Sequence, residues 1–420
     1  MPSAARPYKL LAGLAAGVIG GLLLEGAATA LLPFVEPVGR LWLDALTMTV
    51  VPLVFALLVT GIADASRKAA AGAVTVRALW TASAMLVLAC LVAALLAQTL
   101  LNFWPVDADI LHRAGMPGPP PPAASRWYES IIPANPVKAA ADTAMVPLVF
   151  FALVLGFALA RTEHDVAKTL LGPLRAIREA MLIIVGWVLT AGPIGIAALA
   201  FGATARLGAS IFGALAQYVV VVVLCCLAAA LLAYGWAVLA GRLPLSRFVR
   251  LMLPVQIVAF GTQSSLASLP VMVEATGRLG ITSHTSGIAL PLAVSLFRAS
   301  SAAANVAVAI YLAHMHGMAI GVGGLVLAAL VAVPVSLGAV GLPAQVSFFA
   351  TIAPVCIALG VPVTLLPLLL AIEAIPDLFR TVGNVTNDVA LASVVDRWTP
   401  KGRLRPETDL FPASGADDAD

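Results

Sequence analysis

Charge is what this sequence has least of. Only 11% of its 420 residues are Asp, Glu, Lys or Arg, against about 25% in an ordinary soluble chain. Too few charges remain to cover a water-facing surface of this size. Cysteine is scarce too. Cys90, Cys225, Cys226 and Cys356 lie in apolar stretches without metal-ligand spacing, so they read as helix-packing residues. The net charge of +3 is spread over loops, and no nucleic-acid signature appears. No nucleophile–base or metal arrangement is present, so the chain is not expected to be an enzyme, and no cofactor beyond a coupling ion is implied. No cleavable signal peptide is expected, because the apolar run from Leu10 to Leu32 is too long and leads straight into a second one.

What the sequence has in abundance is apolar length. Apolar residues make up 61% of the chain, and its mean hydropathy is +1.02. Several runs reach the ~20 residues that cross a bilayer as a helix. Membrane β-barrels show weak alternation instead. The expectation is an all-α polytopic membrane protein whose partner is the lipid bilayer. The first six spans are expected at about Leu10–Leu32, Leu41–Ile62, Leu79–Phe103, Ala139–Ala160, Met181–Phe201 and Leu215–Leu239. Small residues in the first (GLAAGVIGGLLL) suit close helix contact. A Pro-rich loop, Trp104–Pro136, follows the third. Basic residues cluster in the leader (1–9), in 67–77, 161–178 and 242–250, and in the polar tail (397–420). The positive-inside rule assigns these to the cytoplasm.

The second half repeats a unit. The apolar segment Leu251–Thr276 is interrupted by Gly261–Pro270 (GTQSSLASLP), and Gly324–Val361 by Ser336–Pro343 (SLGAVGLP). Each precedes a full span that carries charge: Arg298 in the seventh, and the stretch Glu373–Asp388 (EAIPDLFRTVGNVTND) in the last. Paired interrupted segments in two halves point to a transporter binding site at the midplane. If both hairpins are re-entrant, eight spans remain and both termini lie inside.

On a helix, Asp377, Arg380, Thr381, Asn384 and Asp388 fall at offsets 0, +3, +4, +7 and +11 and share one face. Charges within a span face a protein interior or a cavity. Arg380 offers a fork of donors for a carboxylate, and Asp377 can hold an ammonium group. Together they match an acidic amino acid; an internal Asp–Arg pair that merely cancels charge is the alternative. Asn384 and Asp388 are hard oxygen donors suited to a small cation such as Na⁺, or to helix–helix hydrogen bonding. Thr262, Ser264, Ser265 and Ser268 place hydroxyls at a helix break, where N-termini favour carboxylates, or else simply pack. Ser336, Gly338, Gly341 and Pro343 form a flexible break that reads as a gate or as packing. Arg298 needs a carboxylate or several carbonyls around it.

At these residues the chain resembles the dicarboxylate/amino acid:cation symporter family, the glutamate-transporter group. The likeness is carried by MTVVPLVF at Met48–Phe55, the block from Asn135 (NPVKAAADTAMVPLVFFALVLGFAL), Pro193–Gly195, both hairpins, and the final stripe. It covers nearly the whole chain. The resemblance implies eight transmembrane helices, two re-entrant hairpins and a homotrimer. It also implies an elevator motion of a transport core (251–396) against a scaffold drawn mainly from 10–250. By the same resemblance Arg380 binds the substrate's side-chain carboxylate and Asp377 its amino group. Thr381 and Asn384 complete the pocket, and Ser264, Ser265 and Gly341 close over it.

Departures from the family pattern bear on coupling. The family's seventh span carries Asn-Met-Asp-Gly-Thr, whose oxygens hold sodium. This chain has Phe297, Arg298, Ala299, Ser300 and Ser301 in register. Asp388 is kept but follows Asn387 where the family has Gly, and the proton-carrying Glu of animal members maps to Asn305. The expectation is that Arg298 acts as a built-in cation, paired with Asp388 or a neighbouring carbonyl, and that coupling passes to protons with Glu373 or Asp377 as carrier. The chain then reads as a symporter of aspartate, glutamate or a C4-dicarboxylate in the inner or plasma membrane. A sodium-coupled symporter, an uncoupled exchanger or uniporter and, remotely, a membrane-bound ligand sensor are the competing readings.

Overall fold

The computed structural model describes residues 7–23, 28–69, 73–106, 131–207, 210–338 and 344–399. All regular elements among them are helical. In chain order they are α1 (Pro7–Leu23), α2 (Ala28–Thr47), α3 (Val50–Ala69), α4 (Ala73–Phe103), α5 (Pro136–Ala141), α6 (Met145–Arg161), α7 (His164–Thr190), α8 (Gly192–Leu207) and α9 (Ser210–Gly235), which ends in a π-turn at Trp236–Ala240. The second half holds α10 (Leu245–Thr262), α11 (Leu269–Leu279), α12 (Ser283–Leu296), α13 (Ala299–Met315), α14 (Val322–Gly338), α15 (Ala344–Ala358), α16 (Leu366–Ile372) and α17 (Ala374–Trp398). By length and composition, five helical stretches among the described residues can cross a membrane, or six with the bent pair α7–α8 counted as one span.

Several expected boundaries move. Between the first two expected spans the chain is helical, and Pro33 and Pro37 sit inside α2. A proline in a helix loses one backbone bond, which neighbouring helices make tolerable. The expected fourth span is broken. Asn135 caps α5 through its side chain, and the chain turns at Thr143 with φ 55° before α6 begins. The basic stretch expected as a loop at 161–178 is mostly helical, within α7. α7 and α8 meet at a 59° bend, where Pro193 in the first turn of α8 has no N–H to continue α7. The seventh span is not continuous either: it parts into α12 and α13 at Phe297 and Arg298.

Both interrupted segments form helical hairpins. α10 packs on α11, and α14 on α15. The first tip runs through Gln263, which adopts a left-handed conformation with φ 51°. The second tip, with Gly341 and Pro343, lies outside the described residues, as do most of the Pro-rich loop and the polar tail.

Two seams organise the body. α1 lies against α8 with almost no spacing. A Cβ on Gly13 would strike the backbone of Pro193, and one on Gly17 the backbone of Ala197. The same α8 accepts the Trp42 ring at Gly195, and the Trp42 indole donates to the Val188 carbonyl at 2.8 Å. The second seam is the centre of the second half. Every residue of α13 from Ala299 to Ala313 is buried, packed on by α4, α9, α14, α15 and α17. α17 is not apolar enough to count among the candidate spans, yet Gly383 to Val395 is buried throughout. Its polar face is covered by protein.

Candidate functional site

The site begins at the joint between α16 and α17. Glu373 ends α16 and stands at the start of α17, so its backbone position is set by two helices. About two turns later Arg380 comes back to the same face. Its Nη2 lies 2.9 Å from Glu373 Oε1. The other carboxylate oxygen accepts a hydrogen bond from the Tyr218 hydroxyl at 2.6 Å. Arg380 and Glu373 are only 5% and 6% exposed. A Phe348 ring from α15 lies 5.8 Å from the centre of the guanidinium, within the range of a cation–π contact. Arg380 Nε and Nη2 are nevertheless buried without an aligned hydrogen-bond acceptor.

Arg380 also lines a small cavity of about 10 Å³, room for one water at most, together with Arg298, Ser301, Asn305, Ser336, Ser347 and Thr351. Two guanidinium groups, four hydroxyls and an amide thus converge between α13, α14, α15 and α17. Arg298 stands at the break before α13 and donates from Nη1 to Ser347 Oγ at 3.2 Å. Asn305 Oδ1 and Ser336 Oγ are buried with no hydrogen-bond partner. A cavity with this lining suits an anion.

Asn384 is committed elsewhere. Its Oδ1 accepts the backbone N–H of Ser300 at 3.0 Å and of Ser301 at 3.2 Å, and its Nδ2 donates to Ser301 Oγ at 2.9 Å. α13 starts without a side-chain cap of its own. Asn384 supplies that cap from another helix, meeting the free N–H groups that any helix start leaves. One turn further on, Asn387 donates to the Ala229 and Gly383 carbonyls.

Asp388 has the opposite situation. It is 0% exposed, and neither carboxylate oxygen has a hydrogen-bond partner. No hydrogen bond joins Arg298 to Asp388; Arg298 donates to the hairpin serine Ser347. Thr381 donates to the Asp377 carbonyl at 2.9 Å, so its lone pairs stay free to accept. Ser264 bonds within its own hairpin tip, accepting from the Ala267 N–H at 3.2 Å. Ser264 and Ser265 are half-buried, and neither lines the cavity of Arg298 and Arg380. Among the described residues, no cluster of three or more His, Cys, Asp and Glu could hold a metal.

Sequence reasoning missed Tyr218 and Ser347. Tyr218 did carry a signal: it follows Gln217 and opens the uniform run Val219–Val223. Ser347 had none, since only folding brings it opposite Arg298.

A helical body suited to lipid, with a buried, charged and hydroxyl-lined cavity at its centre, is that of a membrane transport protein. Residues 7–398 match the sodium:dicarboxylate symporter family, and the chain belongs to that family. It is an integral membrane transporter rather than an enzyme. It is 25% identical to the proton/glutamate-aspartate symporter of Escherichia coli (strain K12) over 382 residues, 87% of this chain and 85% of that protein. Over 412 residues it is 23% identical to the proton/sodium-glutamate symport protein of Bacillus caldotenax, covering 93% of this chain and 94% of the relative. The C4-dicarboxylate transport protein of Rhodospirillum rubrum is 25% identical over 411 residues, 93% of this chain and 87% of its own length.

Proposed function

We propose that the chain is a proton-coupled symporter of an acidic amino acid, aspartate or glutamate, with C4-dicarboxylates as the second substrate class. The carrying observation is the cavity that Arg298 and Arg380 share. Arg380 takes the distal carboxylate of the substrate, and Asp377, with the free lone pairs of Thr381, takes its ammonium. Ser264, Ser265 and Gly341 close the two hairpin tips over it. Asn384 acts by holding the start of α13; to touch substrate it would first give up three hydrogen bonds. The relatives named above as glutamate, aspartate and C4-dicarboxylate carriers support this substrate class.

The choice of proton rests on the donors that remain. A sodium ion would find both Asp388 oxygens free. It would find Asn384 Oδ1 taken, and Phe297 and Ala299 without side-chain oxygens. Sodium coupling is the second reading, favoured by the unpartnered carboxylate of Asp388 alone. The architecture we propose is eight spans, two re-entrant hairpins and cytoplasmic termini. A core of 251–396 moves as an elevator against a trimeric scaffold drawn from 10–250. A 1–9 leader and a 397–420 tail complete the cytoplasmic side.

The test is a binding screen of aspartate, glutamate, succinate and a neutral amino acid, with and without sodium, followed by uptake into proteoliposomes. Acids that bind without sodium and accumulate down an inward pH gradient support the reading. Preference for the neutral amino acid, or uptake that tracks sodium at a fixed pH gradient, overturns it.

A further inference from the structure

Neither the charged core nor the hairpin tips involve the basic root of the first hairpin. Arg247 and Arg250 lie in the first two turns of α10, and Arg278 in the last turn of α11. Packing of the two legs brings these ends together. With Ser246 and Leu251 the three arginines line a pocket of about 390 Å³. Sites for small ligands run from about 300 to 1,000 Å³, so the space is enough for a bound group. Arg247 donates from Nη2 to the Arg278 carbonyl, which holds its guanidinium at the root. Among the described residues neither Arg247 nor Arg250 has an acidic partner within 4.0 Å. Arg278 has one, Glu274 at 3.7 Å, but both side chains are largely exposed, and such a pair holds weakly. Three guanidinium forks thus converge with one loosely held acid beside them, which is chemistry suited to a phosphate.

An apolar stripe starts beside this pocket. Leu245, Val249, Leu253, Ile257 and Phe260 are all exposed. They follow one another at steps of four, four, four and three residues, so they share one face of α10. The opposite face, with Phe248, Met252, Val255 and Ala259, is buried. At 1.5 Å per residue the stripe runs about 22 Å. That exceeds one leaflet, which is half of a hydrocarbon core of about 30 Å. By the same helical count Ser246 and Arg250 stand next to the stripe at its start. A free phosphate would use the arginines and leave the stripe idle; a phospholipid would use both. The positive-inside rule assigns 242–250 to the cytoplasm, where the leaflet carries anionic lipid.

We propose that the root of the first hairpin is a binding site for an anionic phospholipid. Its phosphate sits among Arg247, Arg250 and Arg278, and one acyl chain lies along the α10 stripe. A phosphate shared by Arg250 and Arg278 ties the α10 leg to the α11 leg. Bound lipid therefore steadies the hairpin whose tip carries Ser264 and Ser265. The site is separate from the cavity of Arg298 and Arg380, and it does not depend on which solute is carried.

The test uses the full chain purified in detergent, read by native mass spectrometry and by thermal unfolding. The probes are dioleoyl-phosphatidylglycerol, dioleoyl-phosphatidylcholine, glycerophosphoglycerol and inorganic phosphate. The wild type retains phosphatidylglycerol in preference to phosphatidylcholine and melts higher with it. Arg250→Gln and Arg278→Gln each weaken that retention about fivefold, the worth of one basic residue at an anionic surface. Arg161→Gln, at an exposed arginine outside the pocket, leaves it unchanged. Glycerophosphoglycerol and inorganic phosphate do not stabilise the protein at concentrations where the lipid saturates. Equal retention of the two lipids overturns the proposal. So does an equal loss in Arg161→Gln, which would mean diffuse charge rather than a site. Stabilisation by inorganic phosphate that matches the lipid's makes the pocket an ion site and overturns the lipid assignment. A change of oligomer mass in Arg250→Gln with lipid retention intact gives the face to a second copy of the chain and overturns it too. If Arg278→Gln does not fold, the wild type and Arg250→Gln decide on the same readings.

Discussion

The α1–α8 seam and the α13–α17 seam join helices in similar apolar surroundings by opposite means. The first contact has no polar side chain at its closest points; Gly13 and Gly17 let backbone lie on backbone. In an apolar solvent there is no hydrophobic gain from joining two apolar helices, so close van der Waals contact has to hold them. The second contact is built on polar groups. Asn384 meets the start of α13 with three hydrogen bonds, and beside it, at the joint of α16 and α17, Glu373 and Arg380 hold one another. The first seam fails when an atom is added; the second fails when one is removed. A small-residue seam tolerates no bulk and does no chemistry. A polar seam stores groups that a substrate or ion can bid for, and so suits the part of a carrier that must respond to its cargo.

The largest effect is expected where a charge is stranded. Arg380→Ala leaves Glu373 buried and unpaired, which is worth about 3–5 kcal/mol. Adding Glu373→Gln recovers most of that loss, as read from thermal unfolding in detergent. If the double variant is no more stable than the single one, the pair is not what holds the joint of α16 and α17. Next comes the glycine seam. Gly17→Val drives a side chain into the Ala197 backbone, at a cost of about 1–3 kcal/mol from overpacking. At Gly172 an added methyl meets nothing within 4 Å, so Gly172→Ala is level or gains up to about 1 kcal/mol. Equal melting of the two variants would erase the contrast between seam and surface.

Asn384→Ala probes the polar seam without removing a charge. It leaves the Ser300 and Ser301 N–H groups unmet, a loss of about 1–3 kcal/mol. Hydrogen exchange at the first turn of α13 is expected to rise while that of α1 stays unchanged. Asp388→Asn is the smallest effect and can carry the opposite sign. Neutralising a buried carboxylate that has no partner keeps stability level or raises it by up to about 1 kcal/mol in sodium-free buffer. A clear loss that appears only when sodium is present would move the coupling ion back to sodium.

Much of this contrast is already visible in the residue order. The spacing of Asp377, Arg380, Thr381, Asn384 and Asp388 requires one helical face, and α17 provides it as a single helix. The small residues of α1 are spaced for close packing, and both interrupted segments are broken helical pairs. Other features were hidden for stated reasons. Pro33 and Pro37 read as punctuation but lie inside α2, because the loss of a backbone bond is a local cost that packing can absorb. The break at Phe297 and Arg298 carries no Gly or Pro to announce it. Tyr218 stands 155 residues from Glu373, and no periodicity links the two.

The sequence by itself determined the solvent, the all-helical class and the family. Each depends on summed hydropathy or on spacing along one helix, which are local quantities. Which charge meets which was decided only by the tertiary structure. Glu373 holds Arg380, Arg298 donates to Ser347, and Asp388 is left with no hydrogen-bond partner, although residue order alone favours joining Arg298 to Asp388. An ion pair forms within a few ångströms, and those distances are set by how separate helices cross. No count of residues along the chain supplies that angle.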